Sequence, residues 1–236
     1  LRGQDEVLMV DVGGVDARSD KFMERERSGI LLRLMDFMGY TLINLTPADL
    51  SLLQNATLQR MTVLSSNYQG AEPALSVHKE FDHTDAQGRK IRFFGVYDGD
   101  DSRFLSAPAW LNAVVCPPDK INVLLYYADR KPDAETQSLL RKFDAVIANL
   151  RLPEGVPHFV PSAKGRRMAV LKVRDKGRIA GREIELNQQI SGDPEMVERC
   201  WRELSDLSKR EEEWKRTRYL RMTPEEFIKT YQKENP

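Results

Sequence analysis

Apolar positions along this chain recur in two rhythms, and the switches between them mark out a succession of short strands and helices. Val7 to Val12 (VLMVDV) is a β-branched run that stops at Gly13 and Gly14, which predicts a buried strand ending in a tight turn, with a helix to follow. In ILLRLMDFM, the residues Ile30, Leu31, Leu34, Phe37 and Met38 fall at helical spacing, and Gly39 closes the helix as a C-cap. Thr41 to Leu45 (TLINL) reads as a second strand. Thr46-Pro47-Ala48-Asp49 then offers an N-cap, a proline for the first helical position and an acid for the first turn. A helix is therefore expected to run to about Arg60, ahead of a third strand from Met61 to Ser65. This alternation implies parallel neighbours joined by crossovers.

The rhythm changes where Ser76 to Phe81 and Lys90 to Val96 flank Asp85-Ala86-Gln87-Gly88, which predicts an antiparallel hairpin and hence a mixed sheet. Asn122 to Tyr127, a helix over Ala134 to Lys142, and Ala145 to Ala148 restore the alternation. Arg167 to Val173 and Ile179 to Leu186, separated by Asp175-Lys176-Gly177, read as a closing hairpin. From Pro194 the chain turns helical and charged, with Val197, Cys200, Trp201, Leu204 and Leu207 as one apolar stripe expected to pack on the domain. Beyond Ser208, Glu211 with Lys215 and Glu212 with Arg216 form favourable i,i+4 pairs around Trp214, an exposed ring expected to dock on another domain or subunit. Thr223-Pro224-Glu225-Glu226 supplies a capping box for a short final helix carrying Phe227 and Tyr231. The expected organisation is one α/β domain over residues 1–190 and a charged helical extension over 191–236, with no internal repeat. The helix pattern is still running at Pro236, so a longer polypeptide is expected to continue from there.

Composition narrows the possible partners. Hydrophobic residues make up 41% of 236, enough for a substantial core. Lys and Arg total 36 and so do Asp and Glu, so no global field attracts nucleic acid or an anionic membrane. No apolar run approaches the roughly 18 residues that a spanning helix needs. The chain begins at Leu1 with neither an initiator Met nor a charged-then-apolar leader, which leaves the compartment open. Cys116 and Cys200 fit neither a multi-bridge framework nor a C-x-x-C site; a single disulfide and two half-buried thiols both remain open.

Several clusters invite chemistry. His78, Glu80 and Asp82 alternate along one predicted strand face, with His83 beyond, but an exposed hairpin arm reads as solvated surface rather than a metal site. Asp98-Gly99-Asp100-Asp101 lacks the register and the bidentate Glu of a calcium loop, so it reads as an acidic turn. Gly13-Gly14 lacks the spacing of a phosphate loop, and His158 has no partner nearby in sequence.

The segments DEVLMVDVGG, SGILLRLMDFMGYTLINLTPADL and VLSSN, followed by NVLLYY, FDAVIANLRL and MAVLKV, resemble the calcineurin-like metallophosphoesterases of the 5'-nucleotidase type over residues 5–187. The resemblance implies an α/β fold, a mixed-sheet αββα sandwich carrying a C-terminal helical extension. It also implies a site that has lost its chemistry, because such enzymes hold two metal ions with Asp, Asn and His donors. Gly14 stands where the family has its bridging Asp, and Thr46, Pro47, Ala48 and Asp49 stand where it has Gly-Asn-His-Glu. Tyr126-Tyr127-Ala128 replaces a strand end with a metal-binding His, and Asn149, Leu150, Arg151 and Leu152 replace Gly-His-x-His. The family's first motif would lie before Leu1. The expectation is no catalytic residue, no metal site and no cofactor, with Asp11 and Asp49 left near the old cleft.

The function expected from this is a non-catalytic scaffold or binding module. The rival is a divergent metal-dependent phosphoesterase with a relocated site, and a third reading keeps a nucleotide or small anion in the cleft without cleaving it. Bacterial relatives that carry multihaem c-type cytochrome modules after such a region imply an extracytoplasmic setting and an electron-transfer assembly. The expected partner at the helix around Trp214 is then a multihaem cytochrome, since this chain has no haem-binding motif of its own.

Overall fold

In a computed structural model the chain is described over residues 7–15, 22–71, 75–161, 167–173, 179–185, 193–220, 222–223 and 226. Four parallel strands, β1 (Met9–Asp11), β2 (Tyr40–Asn44), β3 (Thr62–Leu64) and β4 (Val77–His78), pair in that order. A second sheet has the order β5 (Phe81–Thr84), β6 (Lys90–Asp98), β7 (Ile121–Ala128), β8 (Ala145–Ala148) and β9 (His158–Phe159). It is antiparallel only at the β5 edge. The protein is thus α/β with mixed sheets.

The period of two in each strand sorts its side chains onto the two faces of a sheet. On β6 and β7, Phe93, Val123 and Leu125 meet Val12, Leu42 and Leu64 of the first sheet, which packs the sheets face to face. The alternate residues, Phe94, Val96, Leu124 and Tyr126, turn outward onto α3 (Ala107–Ala113) and α4 (Ala134–Leu140). On the other outer face Ile43, Leu45 and Val63 pack beneath α1 (Phe22–Met38) and α2 (Leu50–Gln54). β10 (Arg167–Val173) and β11 (Ile179–Glu185) form the expected antiparallel hairpin, whose turn residues Asp175, Lys176 and Gly177 lie outside the described residues. α5 (Pro194–Leu220) follows.

The structure departs from the reading of the sequence at four places, one of them a helix that was not expected. The helix after β2 begins only at Leu50, because Thr46 and Asp49 are drawn into a turn in which the Thr46 hydroxyl donates to the Asp49 carboxylate. It ends at Gln54, well short of Arg60, where the amides of Gln59, Arg60 and Met61 donate to the Asp36 carboxylate instead. The chain from Ser76 to Phe81 is not one hairpin arm: Val77 and His78 join the first sheet, and only Phe81–Thr84 pairs with β6. The helix Ala107–Ala113 carries no pattern long enough to announce itself, and is held by the burial of Ala107 and Leu111.

The fourth correction concerns α5, where Trp201 is 70% exposed while Leu207 is buried and Trp214 is half-buried. The helix lies antiparallel along α1, with Leu207, Cys200 and Trp214 on Ile30 and Leu34. Arg210 pairs with Glu26 at 2.6 Å, Glu203 with Arg33 at 2.9 Å, and the Arg199 guanidinium sits 3.9 Å over the Phe37 ring. Trp214 is therefore packed against this chain's own α1. Beyond α5 the capping box forms, the Glu226 amide donating to the Thr223 hydroxyl at 3.3 Å and the Thr223 amide to the Glu226 carboxylate at 2.9 Å. Phe227 and Tyr231 lie outside the described residues.

Candidate functional site

Parallel strands of α/β sheets present their carboxyl ends as the usual place for a ligand. Here those ends converge on Asp11, Gly13, Gly14, Asn44, Asn67, Tyr97 and Tyr127. Gly13 and Gly14 both adopt positive φ, 89° and 79°, so the turn after β1 needs glycine twice. The Gly13 amide donates to Asp11 at 2.8 Å, and the Gly14 amide donates across the cleft to Asp49 at 2.7 Å. Asp49, fully buried, also accepts from the Thr46 hydroxyl at 2.7 Å. The structure thus brings Asp11 and Asp49 together. Burial, with the neighbouring Asp49 charge adding to it and the Gly13 amide opposing it, pushes the Asp11 carboxyl up to about 6.

Tyr127 closes the cleft from the second sheet. A Cβ on Gly14 would come within 2.4 Å of its ring, which in turn stacks on Tyr97 with centroids 6.3 Å apart. The Tyr97 hydroxyl is bound to Asp129. Tyr126 faces the opposite way, into the helix-covered core, where its hydroxyl is bound to Asp98. Burial raises the Asp98 carboxyl despite that bond, and burial and the bond to Asp98 both raise the Tyr126 phenol far above its ordinary range.

Beneath these rings the sheets are stitched directly together. The buried Asn44 amide donates to Val12 O and Val96 O, each at 3.1 Å, one on either sheet. The Ser66 amide donates to Gly95 O at 2.6 Å, and the Asn67 side chain donates to Tyr97 O at 2.7 Å while accepting from the Tyr97 amide at 3.2 Å. Gly95 is required there, since a Cβ would lie 2.5 Å from Asn44 Oδ1. The Asn149 side chain brackets Ala128 with two bonds of 2.9 Å, and Leu150 and Leu152 pack into the outer core. None of these asparagines was identifiable from periodicity. The available signal was a polar residue ending each apolar run, as in TLIN and VLSSN.

A pair of metal ions needs several converging oxygen, nitrogen or sulfur donors. Gly14, Pro47, Ala48, Leu150 and Leu152 supply no side-chain donor, and Asn149 is spent on backbone, so the residues present do not fit a dinuclear centre. Among the described residues no group of three or more His, Cys, Asp or Glu side chains is placed to hold a metal.

The other singled-out residues are dispersed. His78 lies on β4 and Asp82 on β5, so they share no strand face; Asp82 is gripped by Arg92 in two bonds of 2.7 Å and by Lys120 at 2.6 Å. Those contacts hold its carboxyl well below the usual range. In the acidic turn, Asp101 is held by Arg103 at 2.7 Å. His158 Nδ1 sits 2.9 Å from Val156 O, and Cys116 and Cys200 are both free and half-buried. Among the described residues no helix is long and apolar enough to cross a membrane. No protein-family model matches the sequence, and none of the curated proteins searched matches it.

Proposed function

We propose that this chain is a non-catalytic scaffold or binding module on a phosphoesterase-like α/β frame. The observation that carries this reading is the seal on Gly14, whose amide is bound by Asp49 and whose open face is covered by the Tyr127 ring. Substrate and metal would have to enter where a carboxylate, two glycines and a pair of stacked phenols already contact one another. From the resemblance, the module works in an extracytoplasmic electron-transfer assembly with a multihaem cytochrome as its partner.

The test is elemental analysis of purified protein for manganese, zinc and iron, together with hydrolysis of p-nitrophenyl phosphate and nucleoside monophosphates under added divalent metals. The expected outcome is substoichiometric metal and no turnover above a mock preparation. The rival phosphoesterase draws on Asp11, a carboxyl with a pKa raised to about 6 beside Asp49. Two tightly held metal ions per chain, or metal-dependent turnover lost in Asp11→Asn or Asp49→Asn, would establish it instead. Co-sedimentation of haem absorbance with this chain tests the partner, and its absence counts against a cytochrome.

A further inference from the structure

On α5, Val197, Trp201 and Leu204 recur at i, i+4 and i+7 and are 43%, 70% and 52% exposed. The face toward α1 is a different one, formed by Cys200, Leu207 and Trp214. At 3.6 residues per turn the exposed stripe lies roughly 90° around the helix from that face. Glu211, the α5 residue that pairs with Arg27, falls on the same flank, and on α1 the matching flank carries Leu31, also exposed. Single exposed apolar residues are ordinary, but four on one side of a helix pair, one of them an indole, form a patch.

The charges that border the patch select its occupant. Glu198 and Arg202 stand one turn apart beside Trp201, paired at 2.8 Å, with side chains 73% and 71% exposed. A two-fold axis crossing α5 near residue 200 would run two copies antiparallel, with Val197 over Leu204 of the partner subunit and the two Trp201 rings side by side. The same operation sets Glu198 against Arg202 of the partner subunit, and Arg202 against Glu198 of the partner subunit. Parallel docking would set like charges together. With 36 basic and 36 acidic residues the chain has no net charge with which to repel its copy or to draw a strongly charged partner. The geometry points to a two-fold-symmetric homodimer seated on the Val197, Trp201 and Leu204 stripe of α5. Such an interface is self-complementary in the way isologous dimers require. It is independent of what the closed cleft does.

Sedimentation equilibrium of the full chain over a concentration series tests this, with thermal melting of each variant alongside. Wild-type protein should dimerise, and Trp201→Ala should raise the dissociation constant by about tenfold or more without shifting the melt of protein diluted to the monomer. Glu198→Arg and Arg202→Glu should each weaken association at low salt, and the double reversal should restore it. A monomer throughout the series, a dimer indifferent to Trp201→Ala, a double reversal no better than the singles, or a Trp201→Ala chain that fails to fold would each overturn the proposal.

Discussion

Asp11 and Asp36 are both carboxylates within the helix-covered side of the first sheet, yet their surroundings move them in opposite directions. Burial pushes Asp11 to about 6, above its unfolded value, so the folded state binds the extra proton between about pH 4 and pH 6. Its contribution to stability is present below that window and is lost as pH rises through it. Asp11→Asn keeps an acceptor for the Gly13 amide and should raise stability above pH 6 by on the order of 2 kcal/mol, with no gain near pH 4. Urea melts at the two pH values check this, and an equal gain at both would sink it. Burial also works against ionisation of Asp36, but the amides of Gln59, Arg60 and Met61, at 3.0, 2.9 and 2.8 Å, outweigh it and lower its pKa. Its contribution is therefore complete above the unfolded value and is lost as pH falls. Asp36→Ala orphans those three donors and should cost about 3 kcal/mol at neutral pH, read as a shift in denaturation midpoint.

Among the elements, α5 separates what periodicity can settle from what it cannot. Cys200 and Trp201 are adjacent, so a pattern of threes and fours runs through either. The stripe through Val197, Trp201 and Leu204 was legible, but that it faces solvent was not. A stricter signal was present in Cys200, Leu207 and Trp214, spaced by seven as a helix–helix seam requires. Leu207→Ala should accordingly cost about 2 to 4 kcal/mol, whereas Trp201→Ala, expected from its place in the stripe to cost several, should change monomer stability by less than about 1 kcal/mol. Calorimetry on dilute protein distinguishes these, and a reversed order would mean that α5 is rotated from its described position. The β-branched runs of β2, β3, β7 and β8 were readable because burial on both faces leaves little but apolar residues. For the short helices the record is mixed: a helix was expected where α2 stands but its five-residue length was not legible, and α4 was read in place. α3, no shorter than α4, was missed because it lacks the side-chain cap that Asp133 gives α4 and forms through tertiary packing.

For the molecule as a whole, most of the order of strands and helices was visible in the sequence, and so was the lack of side-chain metal donors at Gly14, Ala48, Leu150 and Leu152. What those positions pack against was not visible. That Asn44 and Asn67 bridge two sheets, or that Tyr127 reaches Gly14 from a strand more than a hundred positions away, depends on contacts no local pattern encodes. These bridges couple the layers, so Asn44→Leu should loosen both sheets together. Amide exchange should accelerate in β1 and in β6 alike, and acceleration confined to one sheet would show that the side chain is not a shared tie.

The contact between Gly14 and Tyr127 also sets the order in which mutations at this cleft can be tolerated. A side chain at position 14 meets a ring at 2.4 Å on a backbone with φ of 79°, so introducing an acidic donor there first yields a strained chain rather than a half-built site. Shortening Tyr127 must come earlier, and that step alone opens a hole with no benefit to bind anything. Each path toward a ligand-bearing cleft thus begins with a loss. The aromatic plug acts as a ratchet, and directed evolution toward hydrolysis should stall here unless both positions are varied in the same library.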